Sequence, residues 1–243
     1  MFSAAFAGNT TRMDFGLRQY MLKIYSLMSV ALAISGFMAY SFMSIPALTS
    51  LVFQVTPTGM IAGYTGLGYI VMFAPLGIGL YFFWGMGKMN IQTAQMLFWV
   101  YAACTGISLA TLGFVYTGAS IAKTFFVTAS AFGSMSIYGY TTKKDLTSFG
   151  SFLVMGMIGI LIASVANIFM RSPAIDFALS ILGVFLFMGL TAWDTQRLKS
   201  IYHSAGGGEM GQKMAIVGAF TLYLDFINLF LYLMRFMGVR RDN

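Results

Sequence analysis

Acidic side chains are scarce in this chain: Asp14, Asp145, Asp176, Asp194, Glu209, Asp225 and Asp242 are the only seven among 243 residues. Charge of either sign is scarce as well, at 9% against roughly 25% in soluble domains. That shortage excludes an ordinary soluble globular domain. Cys104 is the single cysteine, which rules out a disulfide framework and a cysteine metal site. His203 is the single histidine, so a His-rich metal centre is excluded too. No cofactor and no metal-ligand set is expected. No polar stretch of about 100 residues is left over for a second domain.

What the chain has instead is apolar length. Hydrophobic residues make up 58%, and the mean hydropathy is +0.80. A membrane helix needs about 20 mostly apolar residues, and that window finds seven: 20–42, 66–84, 92–113, 119–138, 149–169, 175–195 and 214–236. The expected fold class is therefore all-α, a polytopic bundle of seven transmembrane helices over 20–236. A tail, 1–19, precedes it and a short tail, 237–243, follows. The tail 1–19 lacks a basic start before a long apolar run, so it does not read as a signal peptide. A sequon at Asn9-Thr10-Thr11 is too common by chance to use. Pro75, among Gly68, Gly77 and Gly79, predicts a kink or break in the second run. Residues 43–65, with Pro46, Pro57, Gly59 and Gly63, read as a loop, and so does the glycine-rich stretch 200–213. Twenty methionines and many phenylalanines read as packing filler. Recurrent small residues, as in "GMIGILIAS" at 156–164, suit close helix packing.

The net charge of +7 could suggest nucleic acid, but the basic residues lie between apolar runs. They serve orientation instead, and the expected partner is the lipid bilayer, with no nucleic acid. Arg12, Arg18, Lys23, Lys88, Lys143, Lys144, Arg197, Lys199 and Lys213 fall on one side. Lys123 and Arg171 fall on the other, joined by Arg235, Arg240 and Arg241 if the last run crosses fully. The positive-inside rule then puts the N-terminus in the cytoplasm. The side of the C-terminus depends on whether the last run crosses or re-enters.

Asp225 sits inside the last run, "TLYLDFINLFLYLMRF" at 221–236. An Asp at the centre of a membrane helix costs roughly 2.5–3.5 kcal/mol on insertion scales, so it should face a partner, a cavity or a pathway. Gly218, Thr221, Asp225, Asn228 and Tyr232 recur at spacings of three and four and share one stripe of the helix. Asp225 is then either a protonated group bonding a neighbouring helix or a titratable group on a proton or cation path. Asp194, in "LTAWDTQRLKS", is either a helix-end carboxylate paired with Arg197 or the partner of Asp225. Two carboxylates sharing a dry site cannot both ionise cheaply, so such a pair titrates as a unit. Counting from Lys199 and Lys213 puts the two at unequal depths, roughly 8 and 18 Å from their basic markers.

At "WDTQRLK" and "LYLDFINLFLYLMRFMG" the chain closely resembles the bacterial branch of the Bax inhibitor-1 (transmembrane BAX inhibitor motif) family. The resemblance extends through "TGISLATL" at 105–112 and "YGYTTKKDLTSFGSFL" at 138–153. It implies a seven-helix bundle with the last helix central. It also implies a pH-sensitive calcium leak in the inner membrane, gated by paired aspartates that match Asp194 and Asp225. In some members an arginine at the end of the second helix latches the first aspartate. The stretch "FFWGMGKMN" offers Lys88 for that latch, a point charge without the bidentate fork.

The competing function is a non-conducting membrane regulator that binds a membrane protease or other membrane proteins. An enzyme is not expected. An intramembrane aspartyl protease pairs aspartates, but its Gly-x-Gly-Asp pattern is replaced here by "LYLD". A retinal protein would need a lysine midway along the last run. Calcium as a permeant ion fits the carboxylate, amide and hydroxyl oxygens of the polar stripe.

Overall fold

The computed structural model describes residues 2–56, 61–205 and 208–241, with side chains from Phe15 onward apart from 203–205. Among these the helices are α1 (Phe2–Ser44), α2 (Pro46–Val52), α3 (Gly66–Gly85), α4 (Ile91–Leu109), α5 (Leu112–Val115), α6 (Gly118–Thr141), α7 (Thr147–Met170), α8 (Pro173–Ala205) and α9 (Glu209–Met237). One hairpin, β1 (Phe53–Val55) with β2 (Ile61–Tyr64), joins α2 to α3.

The helix ends follow local chemistry. The Thr65 hydroxyl accepts the Gly68 amide at 3.0 Å and opens α3. The Asn90 side chain accepts the Thr93 amide at 2.7 Å and opens α4. α7 stops at Arg171, which turns left-handed (φ 51°) while its amide bonds the Asn167 carbonyl. Ser172 then caps the start of α8 through the Ile175 amide, so two residues suffice to reverse the chain. Glu209 opens α9 and pairs with Lys213 at 3.4 Å, an acid-before-base spacing of four that suits a helix start.

Several expectations are corrected. The stretch 43–65 is not a loop: α1 runs to Ser44, Pro46 starts α2, and the hairpin follows. Proline is compatible with the first turn of a helix, where its missing N–H has no acceptor to serve. Val52 and Phe53 anchor this segment by burial with Ile107 and Ala110, and Met38, Phe42 and Tyr64 pack around them. Pro57 and Gly59 lie outside the described residues. The stretch 200–213 is not a loop either, because α8 continues to Ala205 and α9 begins at Glu209. Gly208, with φ +99°, makes the turn; Gly206 and Gly207 lie outside the described residues. The tail 1–19 is helical from Phe2 and continuous with the first apolar run. Pro75 lies inside an unbroken α3.

Among the described residues, six helices are long and apolar enough to cross a membrane: α1 from Phe15, α3, α4 with α5, α7, α8 and α9. α6, the remaining long helix, does not reach that hydropathy. Lys123 and a run of Ser, Thr and Gly dilute it.

The chain divides into two compact units, Met1–Met28 with Thr128–Tyr232, and Ser29–Val127 with Leu233–Asn243. In the second unit Gly106 lies directly on the Ser35 backbone, and the Ser35 hydroxyl bonds the Ala102 carbonyl at 2.8 Å. The C-terminal tail in that unit is not free. The Val239 amide bonds the Ser120 hydroxyl at 2.8 Å. Its carbonyl accepts the Thr117 amide, and the Arg241 amide reaches the Val115 carbonyl. The first unit holds both candidate aspartates.

Candidate functional site: a carboxyl pair in a helical seam

Within the first unit, residues 192–196 of α8 contact neighbours on several sides. Ala192 lies against Gly139 of α6, where no Cβ would fit. The Trp193 ring covers Gly150 of α7, again leaving no room for a Cβ. Asp194 turns to α9. The Thr195 hydroxyl bonds the Ser136 hydroxyl of α6 at 3.1 Å, and Ser136 is in turn bonded to the Tyr25 hydroxyl of α1. Gln196 holds the α6–α7 link from both ends of its amide: its oxygen accepts the Leu146 N–H at 2.8 Å, and its nitrogen donates to the Lys144 carbonyl at 2.7 Å. A helix gripped on every side holds Asp194 in one place.

Asp194 and Asp225 are hydrogen-bonded to each other through their carboxyls. Both are buried, 6% and 5% exposed. A carboxyl–carboxyl hydrogen bond requires a proton on at least one partner, so the bonded pair carries at most one negative charge. Asp225 Oδ2 is buried and has no hydrogen-bond partner among the described residues. Arg197 acts electrostatically on Asp194 from three residues on, while its guanidinium lies over the Trp193 ring at 5.3 Å. Lys199 donates to the Tyr140 carbonyl at 3.1 Å, and α8 runs on past it to Ala205, so Lys199 does not mark the end of α8. The depth counted from it therefore falls short.

The polar stripe of α9 faces α8 along its length. Gly218 makes room for Leu198 and Ile24. Asp225 meets Asp194 one turn deeper along α8. The Tyr232 ring sits on Gly183 and stacks with Phe187 at 5.7 Å. These contacts pair rising numbers on α9 with falling numbers on α8, an antiparallel seam. Apolar side chains close it on both sides of the carboxyl pair. Thr221 is half-buried. Asn228 donates its amide nitrogen to the Leu224 carbonyl at 2.8 Å, on its own helix. Gly218 and Tyr232 are thus packing contacts, and the polar centre narrows to Asp194 and Asp225. Lys88 belongs to the second unit, where it is exposed in the turn after α3.

Among the described residues, no three His, Cys, Asp or Glu side chains converge as a metal cluster. Sequence reasoning did not identify Tyr25, Ser136 or Gln196. A signal for Ser136 was present: Ser120, Thr124, Thr128, Phe132 and Ser136 recur every four residues on α6, and all are buried.

Comparison with known proteins covers nearly the whole chain. The family model described as "Inhibitor of apoptosis-promoting Bax1" matches residues 17–242. A protein of Rickettsia prowazekii is 58% identical over 229 residues, 94% of this chain and 93% of its own. A protein of Caulobacter vibrioides is 47% identical, over 94% of this chain and 92% of its own. The inner membrane protein YbhL of Escherichia coli is 43% identical, over 93% of this chain and 94% of its own. With its aspartate-bearing helices inside the matched range, the chain belongs to the Bax inhibitor-1 family of integral membrane proteins.

Proposed function

We propose that this protein is a pH-sensitive cation leak of the bacterial inner membrane, with calcium as the permeant ion and Asp194 and Asp225 as its gate. The observation that carries the reading is the buried, mutually hydrogen-bonded carboxyl pair in the α8–α9 seam. A shared proton ties the two helices together. The remaining charge attracts Arg197 and fixes the α8 turn. A second proton removes that charge, frees the arginine and loosens the seam. Cations then meet carboxyl and amide oxygens, the ligand type calcium prefers. Two carboxyls are too few for tight capture, which favours passage over storage.

The inner membrane protein YbhL of Escherichia coli, a relative of this chain, supports the inner membrane. The tail supports seven crossings, with the N-terminus cytoplasmic and the C-terminus outside. Its hydrogen bonds to residues 115–120 favour the membrane face where α6 begins. An even number of crossings between the two suits that reading, and four crossing helices, α6 to α9, would supply it.

Calcium entry into liposomes containing only this protein tests the reading. Flux should rise as pH falls through the titration of the pair, by at most about tenfold per pH unit for one proton. Asp194→Asn mimics the protonated form, so its flux should be high and insensitive to pH. Asp225→Asn should conduct less, because it removes a carboxyl ligand from the seam. If Lys88 supplies a latch, Lys88→Gln should raise flux at neutral pH. Wild type that conducts at no pH would overturn the leak and leave a regulator of other membrane proteins. An unchanged pH response in Asp194→Asn would remove the gate.

A further inference from the structure

The outer side of α7 carries a feature that the carboxyl pair does not use. α7 and α8 enclose an apolar groove of about 490 Å³, lined among others by Phe149, Leu153, Gly156, Gly159, Leu182 and Leu186. Its floor is open: a Cβ at Gly159 meets no atom within 4 Å. From Phe149 to Ala163 the groove follows α7 for about 21 Å, at 1.5 Å per residue. One leaflet of hydrocarbon is about 15 Å deep, half of a 30 Å core. A single acyl chain therefore fits its length.

The end of the groove at Phe149 is charged. Lys143 and Lys144 lie in the link just before α7, and both are exposed. Gln196 ties the Lys144 carbonyl to α8. Exposed Arg197 lies over Trp193, whose ring covers Gly150, the neighbour of Phe149. Asp145, also exposed, is the one acid in this link, and it is engaged by Thr147. Three cations against one carboxylate leave a net charge of +2 beside an apolar slot. Lys144 stands three residues before α7 begins at Thr147, and Phe149 lies in the first turn of α7.

We propose that this groove is a binding site for an anionic phospholipid, its acyl chain between α7 and α8 and its headgroup phosphate held by Lys143, Lys144 and Arg197. A zwitterionic lipid fills the slot equally well but gains nothing from the cations. Each basic residue near an anionic surface is worth about a factor of five in binding.

Native mass spectrometry of protein extracted from vesicles of phosphatidylcholine and phosphatidylglycerol reads the site directly. Wild type should retain phosphatidylglycerol in preference to phosphatidylcholine. Lys143→Gln with Lys144→Gln should lower that preference about 25-fold. Gly159→Phe should fill the slot and abolish retention of both lipids. A reading without groove substitutions uses Trp193 fluorescence in a Trp84→Phe, Trp99→Phe background. Phosphatidylglycerol brominated on its acyl chain should quench it more than brominated phosphatidylcholine. Equal retention of the two lipids, equal quenching by them, or a preference that survives the lysine substitutions overturns the proposal. So does disulfide cross-linking of two copies through Gly159→Cys with no lipid retained, which would assign the groove to a second chain.

Discussion

α7 and α9 are both long enough to cross a membrane, and they solve the problem of being there in opposite ways. α7 has the highest mean hydropathy of the six spans, 2.3, and only 6% of its apolar window is buried in protein. α9 has a mean hydropathy of 1.8, and 67% of its window is buried. The helix that faces lipid carries Ile, Leu, Met and Gly with no charge inside it. The helix surrounded by protein keeps Asp225, Asn228 and Thr221. Hydropathy alone ranks α7 as the better core helix, yet α9 is the core. In a bilayer apolar surface gains nothing by leaving lipid, so packing and polar partners decide which helix goes inside.

The largest effect should come from giving α7 what α9 tolerates. Leu161 is exposed on α7. Leu161→Asp puts a carboxylate toward acyl chains at a cost of about 3 kcal/mol, roughly a hundredfold in the inserted fraction. A glycosylation-reporter insertion assay reads it, and normal insertion would break the comparison. Gly150→Ala comes next. Here α7 does meet protein, and the added methyl collides with the Trp193 indole. Overpacking of this kind costs about 1–3 kcal/mol, visible as a lower thermal midpoint in detergent.

On the lipid side the sign reverses. Gly159→Ala meets no atom, so replacing a mid-helix glycine should stabilise by about 0.5–1 kcal/mol. The same thermal assay should show a small rise, and a fall would mean that α7 is covered. The smallest effect concerns acids at helix starts, where both helices allow them. Hydrogen bonds from the Thr147 side chain and backbone hold Asp145 below the usual carboxylate range. Its contribution to α7 is present above that usual range and lost as pH falls through the lowered one. Asp145→Asn should therefore flatten a slight acid-side slope of stability and lower the neutral-pH plateau slightly.

The long helices were legible in the sequence because bilayer thickness sets their apolar length. The extensions were not. Residues 200–205 and 209–213 are helical although polar, since a helix leaving the bilayer needs no apolar face. Pro46 and the glycines hid α2 and the hairpin, because the burial of Val52 and Phe53 against distant Ile107 decides that segment. The α9 stripe showed that Asp225 needed a partner, but Asp194 stood as only one of two readings until the resemblance at the quoted motifs implied the pair. Lys199 misled the depth count because α8 continues six residues beyond it, to Ala205. Tyr25, Ser136 and Gln196 escaped notice because a hydroxyl or amide inside a span looks like packing until its partner on another helix is known.

The tail that closes the second unit also sets a clock on assembly. Val239 bonds Ser120, 119 residues earlier in the chain. At 5–20 residues per second, translation takes about 6 to 24 seconds to cover that distance. Through that interval the backbone groups of residues 115–120 have no tail to bond. Water or lipid headgroups must serve them while helices α6 to α9 are being threaded into the bilayer. The second unit therefore cannot finish folding in the order in which it is made, and its last seam is sewn from the newest residues.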